Sequence, residues 1–180
     1  MATAVLLSGC NPFYSTEQSD VERGYRWIAR NDYGQAMATF RQALERDPES
    51  GLATLGFADA LADSGRNVEA IPVYTRALER LRMAGLASDV PHTGPTQVIG
   101  QALFSYQNQG LRFPHGVAAY AYFRRGLAYD VVVKREKPAP ADFRSLAIQD
   151  FAEAARLAPS WDEPVKRQAC LQQVDKIDCV

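Results

Sequence analysis

The sequence predicts an all-α fold in which antiparallel helix pairs stack into a superhelix, about three pairs in all, with a C-terminal helix closing the stack. Three observations predict it. A set of positions recurs at a spacing of 34 residues, turn-forming residues separate the apolar stretches, and a third, interrupted copy follows. Gly24, Trp27, Ala36, Phe40 and Ala43 return as Ala58, Leu61, Ala70, Tyr74 and Ala77. Each set describes two helices in contact. The small residue at Gly24 or Ala58 lets them approach, and Trp27 or Leu61 fills the seam. On the facing helix, alanines flank an aromatic knob.

In chain order, helices are expected over about 17–30, 33–46, 50–64, 67–83, 96–109, 116–135, 142–157 and 161–175. The first two are joined by Asn31-Asp32-Tyr33-Gly34 and the next two by Ser64-Gly65-Arg66-Asn67, both rich in turn formers. Pro48 follows the second helix, as proline often does just past a helix end. Residues 84–115 fit the period poorly. Pro91, Gly94 and Pro95 make a loop, and the helix after it stops at Gly110, so the segment is either a degenerate repeat or an inserted element. Gly126 and Tyr129, then Ala147, Phe151, Ala154 and Pro159, supply the third pair. Extra residues around Lys137-Pro138-Ala139-Pro140 lengthen its turn into a stiff surface loop. Ser160-Trp161-Asp162-Glu163 reads as a capping box opening the last helix.

These motif positions resemble the tetratricopeptide repeat. The resemblance gives repeats at about 17–50, 51–84 and 119–160, with the irregular segment 84–115 between the second and third, all within one domain over 20–180. It also implies a concave face lined by the first helix of each pair. Transferring the family's groove positions gives Tyr25, Ile28, Leu52, Leu55, Tyr120, Phe123 and Leu127 as a partner-binding row. Contiguous exposed apolar residues of this kind usually mark a binding site. The competing expectation is that residues 84–115, or the N-terminal tether, fold into the groove. Members of the family that clamp an acidic C-terminal carboxylate use Lys and Asn where this chain has Val21 and Tyr25. The groove therefore suits an amphipathic helix or an extended apolar segment instead.

Composition narrows the function classes. The chain has 180 residues, 47% hydrophobic and 23% charged, which is an ordinary globular balance for one domain. Its net charge is −1 with no block of Lys or Arg, so no nucleic-acid surface is expected. No apolar run reaches the roughly 18 residues that span a bilayer.

The N-terminus reads differently. An apolar stretch runs into Leu7-Ser8-Gly9-Cys10 and then Asn11, which resembles the end of a bacterial lipoprotein signal, although without its basic start. That resemblance makes 1–9 a truncated signal, Cys10 the lipid attachment site and 10–19 a tether. Asn11 after the cysteine implies the periplasmic face of the outer membrane. If Cys10 carries lipid, Cys170 and Cys179 remain, and an even pair in an exported protein suggests a disulfide. A continuous helix would hold the two about 13 Å apart. The bridge therefore requires the last helix to end soon after Cys170.

No catalytic arrangement is apparent. His92 and His115 fall in expected loops, and no phosphate loop, zinc-binding pair or nucleophile elbow occurs. Ser88, Asp89 and His92 are close in sequence only, and Asp59 with Asp63 reads as a solvated helix face. The chain is expected to be no enzyme, to need no cofactor or metal, and to take no small-molecule substrate. A lipid-anchored repeat protein of this kind resembles the pilotin-like lipoproteins of type IV and Tad pilus systems. The resemblance implies binding an apolar segment of a partner such as a secretin subunit. An adaptor for cell-wall hydrolases or proteases is the alternative.

Overall fold

The computed structural model describes residues 16–85, 113, 115–135 and 140–173. Their regular structure is helical: α1 Thr16–Ile28, α2 Tyr33–Arg46, α3 Gly51–Asp63, α4 Asn67–Met83, α5 Val117–Arg135, α6 Phe143–Leu157 and α7 Asp162–Gln172. These match the expected helices to within about three residues at each end. The expected helix at 96–109, residues 10–15 of the tether including Cys10, Cys179 and the Ser88, Asp89 and His92 cluster lie outside the described residues, whereas residues 16–19 of the expected tether belong to α1. No described helix is long and apolar enough to cross a membrane.

The turns follow from local chemistry. Asn31 at φ 58° and Gly65 at φ 86° sit one period apart, each in the left-handed conformation that ends a helix. The next amide closes the same ring in both repeats: Asp32 N–H donates to Trp27 C=O at 3.0 Å, and Arg66 N–H to Leu61 C=O at 2.9 Å. Two of the following helices, α2 and α3, start on side-chain caps, whereas Asp142 at the start of α6 makes no cap bond. Asp32 accepts from Gln35 N–H and Ser50 Oγ from Ala53 N–H, both at 3.1 Å. The capping box expected at Ser160 does not form. Trp161 is the N-cap of α7 without a side-chain cap bond, and Glu163 accepts instead from Arg167 one turn on.

Each helix packs on the next in chain order, and the first helices of successive pairs also touch, α1 with α3 and α3 with α5. The third pair thus docks directly on α4, in the place a next repeat takes. The aromatic knobs are fully buried: Phe40, Tyr74 and Phe151 are each 0% exposed, among Ala36, Ala43, Ala70, Ala77, Ala147 and Ala154. The small residues are needed where expected. A Cβ at Gly24 would lie 2.4 Å from Phe40 Cζ, and one at Gly126 would lie 2.8 Å from Phe151 Cε1. Gly56 of the next pair presses on the same Phe40 ring.

Candidate functional site: an aromatic cleft over a buried aspartate

Helix α3 is apolar on nearly every side, because α2, α4 and the first helices of both neighbouring pairs cover it. An acidic residue in such a helix must be buried and paired. Asp59 is that residue, 1% exposed. Its Oδ1 accepts from Tyr74 Oη at 2.7 Å and Arg124 Nε at 3.0 Å, and its Oδ2 from Tyr25 Oη at 2.9 Å and Tyr120 Oη at 3.2 Å. Arg124 also reaches the partly exposed Asp63. The expected solvated face at Asp59 and Asp63 is corrected here. Asp59 points between three helix pairs, and only Asp63 keeps access to water.

The electrostatics follow from burial. Burial pushes the Asp59 carboxyl's pKa up, while the Arg124 charge and the hydroxyls of Tyr74 and Tyr25 pull against that shift. Burial also raises the phenols of Tyr25, Tyr74 and Tyr120 well above their usual value, and the Asp59 charge adds to it. They stay protonated and donate. For Arg124, burial would lower the guanidinium's pKa, but Asp59 and the neighbouring tyrosines and Asp63 raise it further.

Above this network lies a cavity of about 310 Å³, lined by Tyr25, Ile28, Ala29, Asn31, Asp59, Asp63, Phe113, Tyr120 and Arg124. Of the expected groove row, the structure gathers Tyr25, Ile28 and Tyr120 here. The others belong elsewhere. Leu55 is 0% exposed and sits in the core rather than on an open face. Leu52 and Leu127 are half-buried against the core clusters. Phe123 packs against Phe151 at 5.6 Å and Trp161 at 4.5 Å between ring centroids, so the start of α7 covers it. Trp161 also stacks on His115. The groove is thus neither continuous nor wholly apolar.

Phe113 is the residue that reasoning about the groove missed by name. It is 3% exposed, with its ring edge-on to Tyr25 at 5.9 Å and to Tyr120 at 4.9 Å. Its carbonyl accepts from Gly116 N–H, closing the turn that leads into α5, where Gly116 adopts φ 92°. At this point a residue of the irregular segment does occupy the groove. Arg124 and Tyr74 were missed as site residues too, and the signal for both was the acid in an apolar helix. At the other end of the chain, Cys170 is disulfide-bonded, while Cys179 lies outside the described residues.

No curated protein matches the chain. A family model described as Tetratricopeptide repeat matches residues 28–85. Repeats of that family generally mediate protein–protein interaction, and proteins built on them are typically non-catalytic scaffolds. Residues 28–85 are thus similar to the tetratricopeptide repeat, and the described residues form an all-α, tetratricopeptide-like helical-repeat fold.

Proposed function

We propose that the chain is a non-catalytic scaffold that holds an extended segment of a partner polypeptide in the cleft between Tyr25, Ile28 and Tyr120. The observation that carries this reading is the cleft itself, where two repeats present aromatic edges across a cavity that remains open beside Phe113. Aromatic side chains fixed by buried hydrogen bonds contribute contact area with little ordering cost, as binding anchors do.

The finer setting belongs to the same proposal. The chain acts as a lipoprotein anchored through Cys10 on the periplasmic face of the outer membrane. There it assists assembly of a pilus or secretion complex by binding an apolar segment of a partner such as a secretin subunit. Leu7-Ser8-Gly9-Cys10 supports the anchor, and a disulfide-bonded Cys170 suits an oxidising compartment.

Cross-linking of the full chain in envelope fractions tests the scaffold. A captured partner should be lost at least tenfold on Ile28→Ala, with helix content unchanged, and retained on reversal of the exposed Glu79 (Glu79→Lys). The opposite pattern places binding on another surface. In the same fractions Cys10→Ser should leave the membrane, and unchanged partition of that variant removes the lipoprotein reading.

A further inference from the structure

We propose that Phe113 is the chain's own occupant of a slot made for an aromatic side chain, and that a partner segment carrying an aromatic residue beside a basic one takes its place. The inference rests on the scaffold reading above and names the chemistry of the segment the cleft accepts.

Phe113 lies outside the helices. Its two ring neighbours come from the first helices of different repeats, Tyr25 in α1 and Tyr120 in α5. Neither tyrosine depends on Phe113 for its position. Both hydroxyls are tied to Asp59, which Tyr74 and Arg124 hold from behind. The walls of the slot are therefore fixed whether or not the ring is present, which is what preorganises a site for an incoming side chain. The cavity continues from the ring toward Ile28, Asn31 and Asp63, giving space for residues next to the aromatic one. Two carboxylates and one guanidinium line it, an acidic excess that a basic neighbour complements.

An internal occupant also sets an affinity. A competing segment binds only the fraction of molecules in which Phe113 is out, so its apparent affinity falls by that fraction. Removing Phe113 should restore it.

The probe is a fluorescent peptide with the chain's own residues 109–116, Gln-Gly-Leu-Arg-Phe-Pro-His-Gly, added in trans to the full chain. It should bind the Phe113→Ala protein at least tenfold more tightly than the unsubstituted protein. The same peptide with its phenylalanine replaced by alanine should not bind, and Asp63→Asn in the Phe113→Ala protein should weaken binding severalfold. Equal affinity for the two proteins, or binding by the alanine peptide, overturns the proposal. Should Phe113→Ala lose helix content, Phe113→Leu keeps the apolar volume without the ring edges. The peptide must then bind that variant more tightly than the unsubstituted protein, and equal affinity overturns the proposal. The assay needs no cellular partner. Failure to capture one in envelope fractions counts against the scaffold alone, and failure of the peptide counts against the slot alone.

Discussion

The two junctions between successive repeats use the same positions for different chemistry. At the first, Phe40 is held between Gly24 of its own pair and Gly56 of the next, where a Cβ would come within 2.2 Å of the ring. At the second, the knob is Tyr74, and the counterpart of Gly56, two periods of 34 residues on, is Arg124. The empty space of the glycine is exchanged for a guanidinium that donates to Asp59 and touches Tyr74 Oη at 3.3 Å. Asp59 itself stands one period after Tyr25. The apolar junction closes by shape alone. The polar one must desolvate two charges and recovers that cost only through a complete set of partners. In return it fixes tyrosines from three elements around Asp59, and two of them, Tyr25 and Tyr120, line the cleft. The repeat period specifies where helices go, and departures from it specify the site.

The largest expected effect breaks the polar junction. Asp59→Ala leaves Arg124 mostly buried without this partner and three hydroxyls without their acceptor, and should destabilise the fold by about 3–5 kcal/mol in chemical denaturation. The double variant Asp59→Leu with Arg124→Leu removes both charges and should cost clearly less than Asp59→Ala alone. A double variant as damaging as the sum of its singles would mean that the two charges are not coupled. Next in size is a test of the apolar junction. Gly56→Ala overpacks Phe40 and should cost about 1–3 kcal/mol in thermal unfolding. Phe40→Leu added to it should recover part of that loss, and an additive pair would place the strain elsewhere.

The same contrast explains what the sequence made legible. Helix pairs, turns and knobs repeat, so a period of 34 residues located six of the seven described helices from small residues, aromatic knobs and turn formers alone. The closing helix α7 was read from Ser160-Trp161-Asp162-Glu163 as a capping box, and the helix is there although that cap is not, because Trp161, not Ser160, precedes its first turn. The groove was only half legible. Transfer of groove positions assumes that every repeat faces an open concave side. In this chain Leu55 is fully buried in the core and Phe123 lies under the start of α7. Asp59 was readable in principle from an acid inside an all-apolar helix, but its partner Arg124 lies 65 residues away with an irregular segment between, and no periodicity pairs them. Phe113 carries no repeat signal at all.

The smallest expected effects grade the polar junction hydroxyl by hydroxyl. Tyr74, Tyr25 and Tyr120 donate to Asp59 at 2.7, 2.9 and 3.2 Å. A hydrogen bond to a charged group is worth more when it is short and desolvated. Tyr74→Phe should therefore cost the most and Tyr120→Phe the least, within a range of about 0.5–2 kcal/mol. All three variants keep the ring, so the loss each one shows is that of its hydrogen bond to Asp59 rather than of aromatic packing. Alkaline titration sharpens the ranking. Unfolded tyrosines ionise near pH 10, whereas burial and the Asp59 charge raise all three in the folded chain. Above that pH the folded state binds more protons than the unfolded state, so stability falls as pH rises. Below it the three contribute in full. Each Tyr→Phe substitution deletes one of these proton-linked terms, so the variants should lose stability less steeply than the unsubstituted chain as pH rises above 10. Phe40 has no hydroxyl to ionise, and the apolar junction adds nothing to this slope. Identical slopes for the Tyr74→Phe and unsubstituted proteins would mean that the phenols titrate alike folded and unfolded, and the network would not hold its tyrosines as described.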